Sequence, residues 1–174
     1  AGGITGLGNE AVTITDTGSV SAADLYSVNT LTSGLVTASG VTSVSGSAAE
    51  LLRVYGSSAG VIAGLGNETI VITDTGTVDA ADINTLDGFT SGTVTATGVT
   101  KLTGTVTEIN TARSGATVTG VTSLALDGST ETFDATSYLA SNADLIKAFG
   151  NSPASAVTHY LAFGVNESRN LDSL

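Results

Sequence analysis

Along most of this chain, apolar and polar positions alternate or run apolar in short stretches. One set comprises Ala11–Asp16, Val41–Ser45, Ile70–Asp74, Val99–Thr103 and Val121–Leu126. A second set comprises Leu35–Ser39, Val61–Leu65, Thr93–Thr97 and Thr117–Thr119. Stretches of this length, rich in Val, Ile and Thr and bounded by Gly or Ser-Gly, predict strands separated by tight corners. After several strands the pattern turns helical, at Ser21, Ser47, Asp79 and Thr105, each followed three residues later by an acid: Asp24, Glu50, Asp82 and Glu108. That spacing predicts a capping box. The first side chain accepts from an orphan N–H, and the acid lies at the positive end of the helix dipole.

The pattern repeats. GLGNEAVTITDTG, residues 6 to 18, returns as GLGNETIVITDTG, residues 64 to 76, with ten of thirteen positions identical at an offset of 58. The same offset aligns residues 21–46 with residues 79–104. Each unit divides into two similar halves, so one turn of chain is expected to take about half of 58 residues. A helix between parallel neighbours is the connection that such strands need. Equivalent strands of successive turns would then stack, and the stack would supply the core that one turn cannot bury alone. The expected fold is a parallel β or α/β repeat solenoid over residues 1–131, two 58-residue units plus a partial coil. The GLGNE loops read as corners before strands. They lack the Gly-Lys-Ser/Thr or the following helix that a phosphate cradle requires.

The composition changes near Thr132. Residues 132–174 hold five of the eight aromatic residues, and Tyr138, Leu139, Leu145, Ile146 and Phe149, then Val157, Tyr160, Leu161 and Phe163, fall at helical spacings. Pro153 is placed to begin a second helix. A C-terminal helical hairpin capping the stack is expected, either blocking the last turn from pairing or docking onto a neighbouring subunit. Its aromatic cluster serves as the hairpin's core or as a docking surface. Tyr138, Phe149, His159, Tyr160, Phe163 and Arg169 are therefore the candidate interface.

Charge and composition narrow the functions. Sixteen acidic residues against five basic ones give a net charge of −11, which repels nucleic-acid backbones and anionic lipid alike. No apolar run is long enough to span a bilayer, so neither nucleic acid nor membrane insertion is expected. The chain opens on Ala1 with no basic leader, as expected if a leader has been removed or the sequence is a piece of something longer. There is no Cys and a single histidine, His159, so zinc lacks ligands and a Ser-His-Asp triad has one possible centre. His159 reads as a structural histidine on an aromatic-flanked helix. Glu10, Asp16, Glu68, Asp74, Asp79, Asp82 and Asp87 recur along the units and could line an oxygen-rich face for calcium. No compact D-x-D-x-D-G run gathers them, and solvated charge and helix capping are the plainer account. The expectation is no enzyme, no catalytic residues and no cofactor, with calcium as the alternative.

Two resemblances bear on function. Tyr138, Leu139, Asn142, Asp144 and Leu145, followed by His159, Tyr160, Phe163, Gly164, Glu167 and Arg169, spell Y-L-x-x-N-x-D-L…H-Y-x-x-F-G-x-x-E-x-R. This resembles a short module of large secreted and surface proteins of cyanobacteria and proteobacteria. The Thr/Val/Ala-rich units are similar to arrays in cyanobacterial surface proteins, among them surface-layer, adhesive and type I secreted polypeptides. The calcium-binding nonapeptide that often accompanies them, G-G-x-G-x-D, is absent. The resemblance implies a secreted, extracellular or cell-surface structural protein that self-assembles with copies or neighbouring subunits into a layer, filament or adhesive stalk. Two alternatives stand beside it: an ice-binding solenoid using Thr-x-Thr ranks such as Thr13/Thr15, Thr73/Thr75, Thr93/Thr95/Thr97 and Thr117/Thr119, and a calcium-dependent surface or cell-surface polysaccharide-binding module.

Overall fold

Two kinds of local sequence alternate in the folded chain. The computed structural model describes residues 8–56, 62–129, 132–167, 169 and 171. The Thr/Val/Ser stretches form very short strands: β1 (Val12–Thr13), β2 (Ser19–Ser21), β3 (Val36–Thr37), β4 (Ser43–Gly46), β5 (Thr69–Ile72), β6 (Thr77–Asp79), β7 (Val94–Thr95), β8 (Lys101–Gly104), β9 (Ser123–Leu126) and β10 (Thr132–Asp134). The capped stretches form α1 (Ala22–Leu31), α2 (Ala48–Tyr55), α3 (Ala80–Asp87) and α4 (Val106–Gly115). After β10 come α5 (Ala135–Ser141), α6 (Ala143–Phe149), α7 (Pro153–Ala162) and a 3₁₀ turn at Gly164–Asn166. The predicted strand over Val61–Leu65 lies partly outside the described residues, and within it Ala63 makes one isolated bridge to Thr37.

The predicted helix starts are where the helices begin, with unequal caps. Ser47 accepts from the Glu50 N–H while Glu50 reaches back to the Ser47 N–H, and Thr105 and Glu108 do the same. Asp79 accepts from the Ala81 N–H, whereas Ser21 makes no side-chain cap bond. Each helix buries one stripe at three-residue spacing: Ala48, Leu51 and Val54 in α2, Ala80, Ile83 and Leu86 in α3. These stripes pack α1 on α2, α2 on α3 and α3 on α4 and close over the sheets.

The strands correct the solenoid expectation. A stack of identical coils would place β1, β3, β5 and β7 in one ladder and β2, β4, β6 and β8 in another. Instead, β1 pairs with β3 alone, the second sheet runs β2-β4-β5-β7, and the third runs β10-β9-β8-β6. Ala63 takes the place beside Thr37 that continued stacking would give to β5. The chain then turns through Gly64 (φ 88°) and Gly66 (φ 128°), backbone conformations that Gly adopts without a Cβ clash, and delivers β5 to β4, with Ser43 opposite Thr69. The second copy of the unit thus occupies the second and third sheets, where the first occupies the first and second. The result is a compact α/β domain with seven helices and three small sheets among its described residues, and not a repeat solenoid. The turn is also shorter than half of 58: Val12 faces Val36, Ser43 faces Thr69 and Lys101 faces Ser123, offsets of 24, 26 and 22. Thr13 and Thr37 pair, but the next rung is Ala63, so no continuous Thr rank forms there.

The C-terminal part is also corrected, from a two-helix hairpin to three short helices. Asn142 (φ −131°, ψ 85°) breaks the first predicted helix, and its side-chain amide donates to the Tyr138 carbonyl at 2.8 Å. The segment opens as a strand: β10 lies antiparallel on β9, with Phe133 opposite Leu124, making the third sheet mixed. Phe133 is 1% exposed and stacks on Tyr160 at 4.2 Å, with Tyr138 edge-on at 5.2 Å. This ring cluster ties the last helices to the sheet.

Candidate functional site

The six residues of the candidate interface separate into three environments. Tyr138 and Tyr160 are buried with Phe133 and belong to the core. Phe149, His159 and Phe163 line a surface groove of about 420 Å³ with Ala154, Ser155, Thr158 and Ala162. Arg169 lies apart from that groove, donating to both Asp144 oxygens at 2.9 and 3.0 Å and to Glu167 at 2.5 Å. These hydrogen bonds hold the Arg169 guanidinium above its ordinary pKa and the Asp144 carboxyl below its own. Arg169 is a tie between the residues that follow the 3₁₀ turn and the start of α6.

The groove is made by α6 meeting α7. Ser152 caps α7, accepting from the Ser155 N–H, and Pro153 opens the helix where no N–H is needed. His159, one turn beyond Ser155, stands between Phe149 at 5.7 Å and Phe163 at 5.4 Å. On its inner side its Nδ1 shares a 3.0 Å hydrogen bond with the Tyr138 hydroxyl. Burial raises the Tyr138 pKa and so keeps the phenol protonated beside the imidazole. Phe163 is 57% exposed and Phe149 37%, large rings that a soluble core would normally take in. The arrangement offers an apolar face with one imidazole between two exposed rings.

Among the described residues the groove has no charge-relay arrangement. The Ser155 hydroxyl donates to Ser152 Oγ at 3.0 Å, so the cap holds it, and the partner recorded for His159 is a phenol. Among the described residues no three His, Asp or Glu side chains gather as a metal site would require, and no helix is long and apolar enough to cross a membrane. Several acids singled out for calcium have other partners: Asp74 accepts from the Ala48 N–H at 2.7 Å, and Asp79 caps α3.

Two features lay beyond sequence reasoning. Arg113 donates to Thr158 at 3.0 Å, fastening α7 to α4. Glu68, 2% exposed, accepts from the Gly66 and Asn67 N–H groups at 2.7 and 3.0 Å and from the Tyr55 hydroxyl, while Tyr55 stacks on Phe89 at 5.8 Å. Burial first, then the bond to Glu68, pushes the Tyr55 pKa well up. The Glu in GLGNE was the available signal, since an acid inside a Gly-rich corner has backbone N–H groups nearby.

Comparison with protein-family models, curated proteins and solved structures returns no match.

Proposed function

We propose that the chain is a non-catalytic structural module of a secreted or cell-surface assembly, holding neighbouring subunits through the groove on its C-terminal helices. The exposed pair Phe149 and Phe163 flanking His159 carries the reading. Aromatic anchors on a rigid, pre-formed face are what a protein-protein contact uses, because they cover large area at little conformational cost. The single imidazole is held by a phenol, and the nearby serine by a cap, which favours docking over chemistry. The resemblance of Tyr138–Leu145 and His159–Arg169 to a module of bacterial surface proteins, and the acidic, cysteine-free composition, support a place outside the cell.

The partner under this reading is another copy or a neighbouring subunit. Light scattering of size-exclusion fractions tests it. The native chain should elute as associated species, and Phe163→Ser with Phe149→Ser should elute as a folded monomer. Association unchanged in the double variant would overturn the role of the groove.

A further inference from the structure

The two copies of the duplicated unit have the same framework and different surroundings. Thr32 Oγ1 donates to the Glu10 carbonyl at 2.6 Å, and Thr90 Oγ1 to the Glu68 carbonyl at 2.7 Å. The Ser33 N–H donates to the Gly8 carbonyl and the Ser91 N–H to the Gly66 carbonyl, both at 2.8 Å. Outside this framework the second copy is covered. β4 runs parallel along one side of β5, the Ala48 N–H at the head of α2 donates to Asp74, and Tyr55 at its end covers Phe89 and donates to Glu68. Ile70, Ile72, Val78 and Leu86 are consequently at most 5% exposed.

In the first copy no described residue supplies that cover. β1 is a sheet edge, and Val12, Ile14, Val20 and Val28, the counterparts of those four residues, are only half-buried. Asp16, Glu10 and Leu31, the counterparts of Asp74, Glu68 and Phe89, are exposed. Ile14, Asp16, Val20, Leu25 and Val28 line a groove of about 250 Å³ beside α1. The Glu10 carboxylate lies beside the same corner, where a methyl group at Gly8 would be 3.1 Å from its Oε2.

We propose that this face binds a strand-and-capped-helix segment of the Ser43–Tyr55 type, presented by another polypeptide. Its strand adds parallel to the outer edge of β1, and the first N–H of its helix donates to Asp16. Its apolar stripe covers Ile14, Val20 and Val28, and an aromatic hydroxyl at its end reaches Glu10. The interior junction between β4-α2 and the second copy is the template for each of these contacts. This chain's own examples are engaged, since β4 is paired by β2 and β5, and β8 by β6 and β9. A folded second copy therefore has no free segment with a full capping box to give, since its open-edged strands β2 and β6 lead into α1, whose Ser21 makes no cap bond, and α3, which Asp79 alone caps. The site is distinct from the aromatic groove, and its test does not depend on that groove.

The test appends a second copy of residues 40–58 directly ahead of Ala1, a tether that raises the effective concentration to the millimolar range. An extension of the same composition in scrambled order is the control. Amide exchange at Thr13 and Thr15 should slow by about tenfold or more against the control, and the thermal midpoint should rise. Replacing the tyrosine of the added copy by phenylalanine, or Glu10→Gln in the parent chain, should weaken the protection by about tenfold, the loss of one charge-assisted hydrogen bond. Exchange and midpoint equal to the scrambled control would overturn the proposal.

Discussion

At the scale of single residues, buried polar partners and exposed rings account for most of what the chain can do. Tyr55→Phe leaves the buried Glu68 carboxylate with its two N–H donors and without the hydroxyl, which should cost about 1–3 kcal/mol in denaturant unfolding. The pH dependence follows from the same pair. The folded-state pKa of Tyr55 lies above the ordinary value near 10, so above pH 10 the unfolded chain releases a proton that the folded chain keeps. Stability is therefore fully present below pH 10 and falls as pH rises beyond it. The fall should be shallower in Tyr55→Phe, as urea midpoints on both sides of pH 10 would measure. At the acid end, Glu50 and Glu108 have lowered pKa values because the Ser47 and Thr105 backbone N–H groups, then their hydroxyls, bond the carboxylates. Their contribution is present above the ordinary value of 4.5 and is lost as pH falls below it. The double variant Glu50→Gln, Glu108→Gln should flatten that part of the profile.

At the scale of elements, the starts of α1 to α4 were legible in sequence, while the break at Asn142 and the pairing of strands were not. Capping is local chemistry: Ser47 with Glu50 and Thr105 with Glu108 are three residues apart, and the boxes form. Ser47→Ala and Thr105→Ala should each cost about 1 kcal/mol in chemical unfolding, and Ser21→Ala, which removes no cap bond, less than about 0.5 kcal/mol. Strand pairing depends on where the chain goes after a corner. The 58-residue offset aligned β1 with β5 correctly as sequence, but the turns at Gly64 and Gly66 moved β5 to a different neighbour. Strands of two or three residues, such as β2, β6 and β10, carry too few positions to show a period. Gly34 and Gly92 were visible only as turn residues, yet each lies against a carbonyl of the preceding corner. A methyl group there would sit 2.3 Å from the Glu10 or Glu68 oxygen, so any side chain would push the two corners apart.

At the scale of the whole molecule, the C-terminal helices are part of one packed body with the sheets. Phe133 supplies a strand residue and a core ring together, so Phe133→Ala should cost about 3–5 kcal/mol in unfolding free energy. Aromatic residues at helical spacing announced an interface, and the structure divides them: Tyr138 and Tyr160 face inward, Phe149 and Phe163 outward. Helical periodicity places residues on faces but does not say which face is covered, and the strand at Thr132–Asp134 decided that here. Copies that meet through the outward face must overcome repulsion between bodies of net charge −11. Salt screens that repulsion within about 8 Å at physiological ionic strength, while leaving apolar contact intact, so association should tighten with salt.

Sedimentation velocity of the native chain over a concentration series at low and moderate salt measures this most directly. The proposed structural role predicts a boundary that shifts to faster-sedimenting species as protein concentration and salt rise, and a Phe149→Ser, Phe163→Ser chain that stays at the monomer position. A monomer boundary that does not move at any concentration or salt would contradict it.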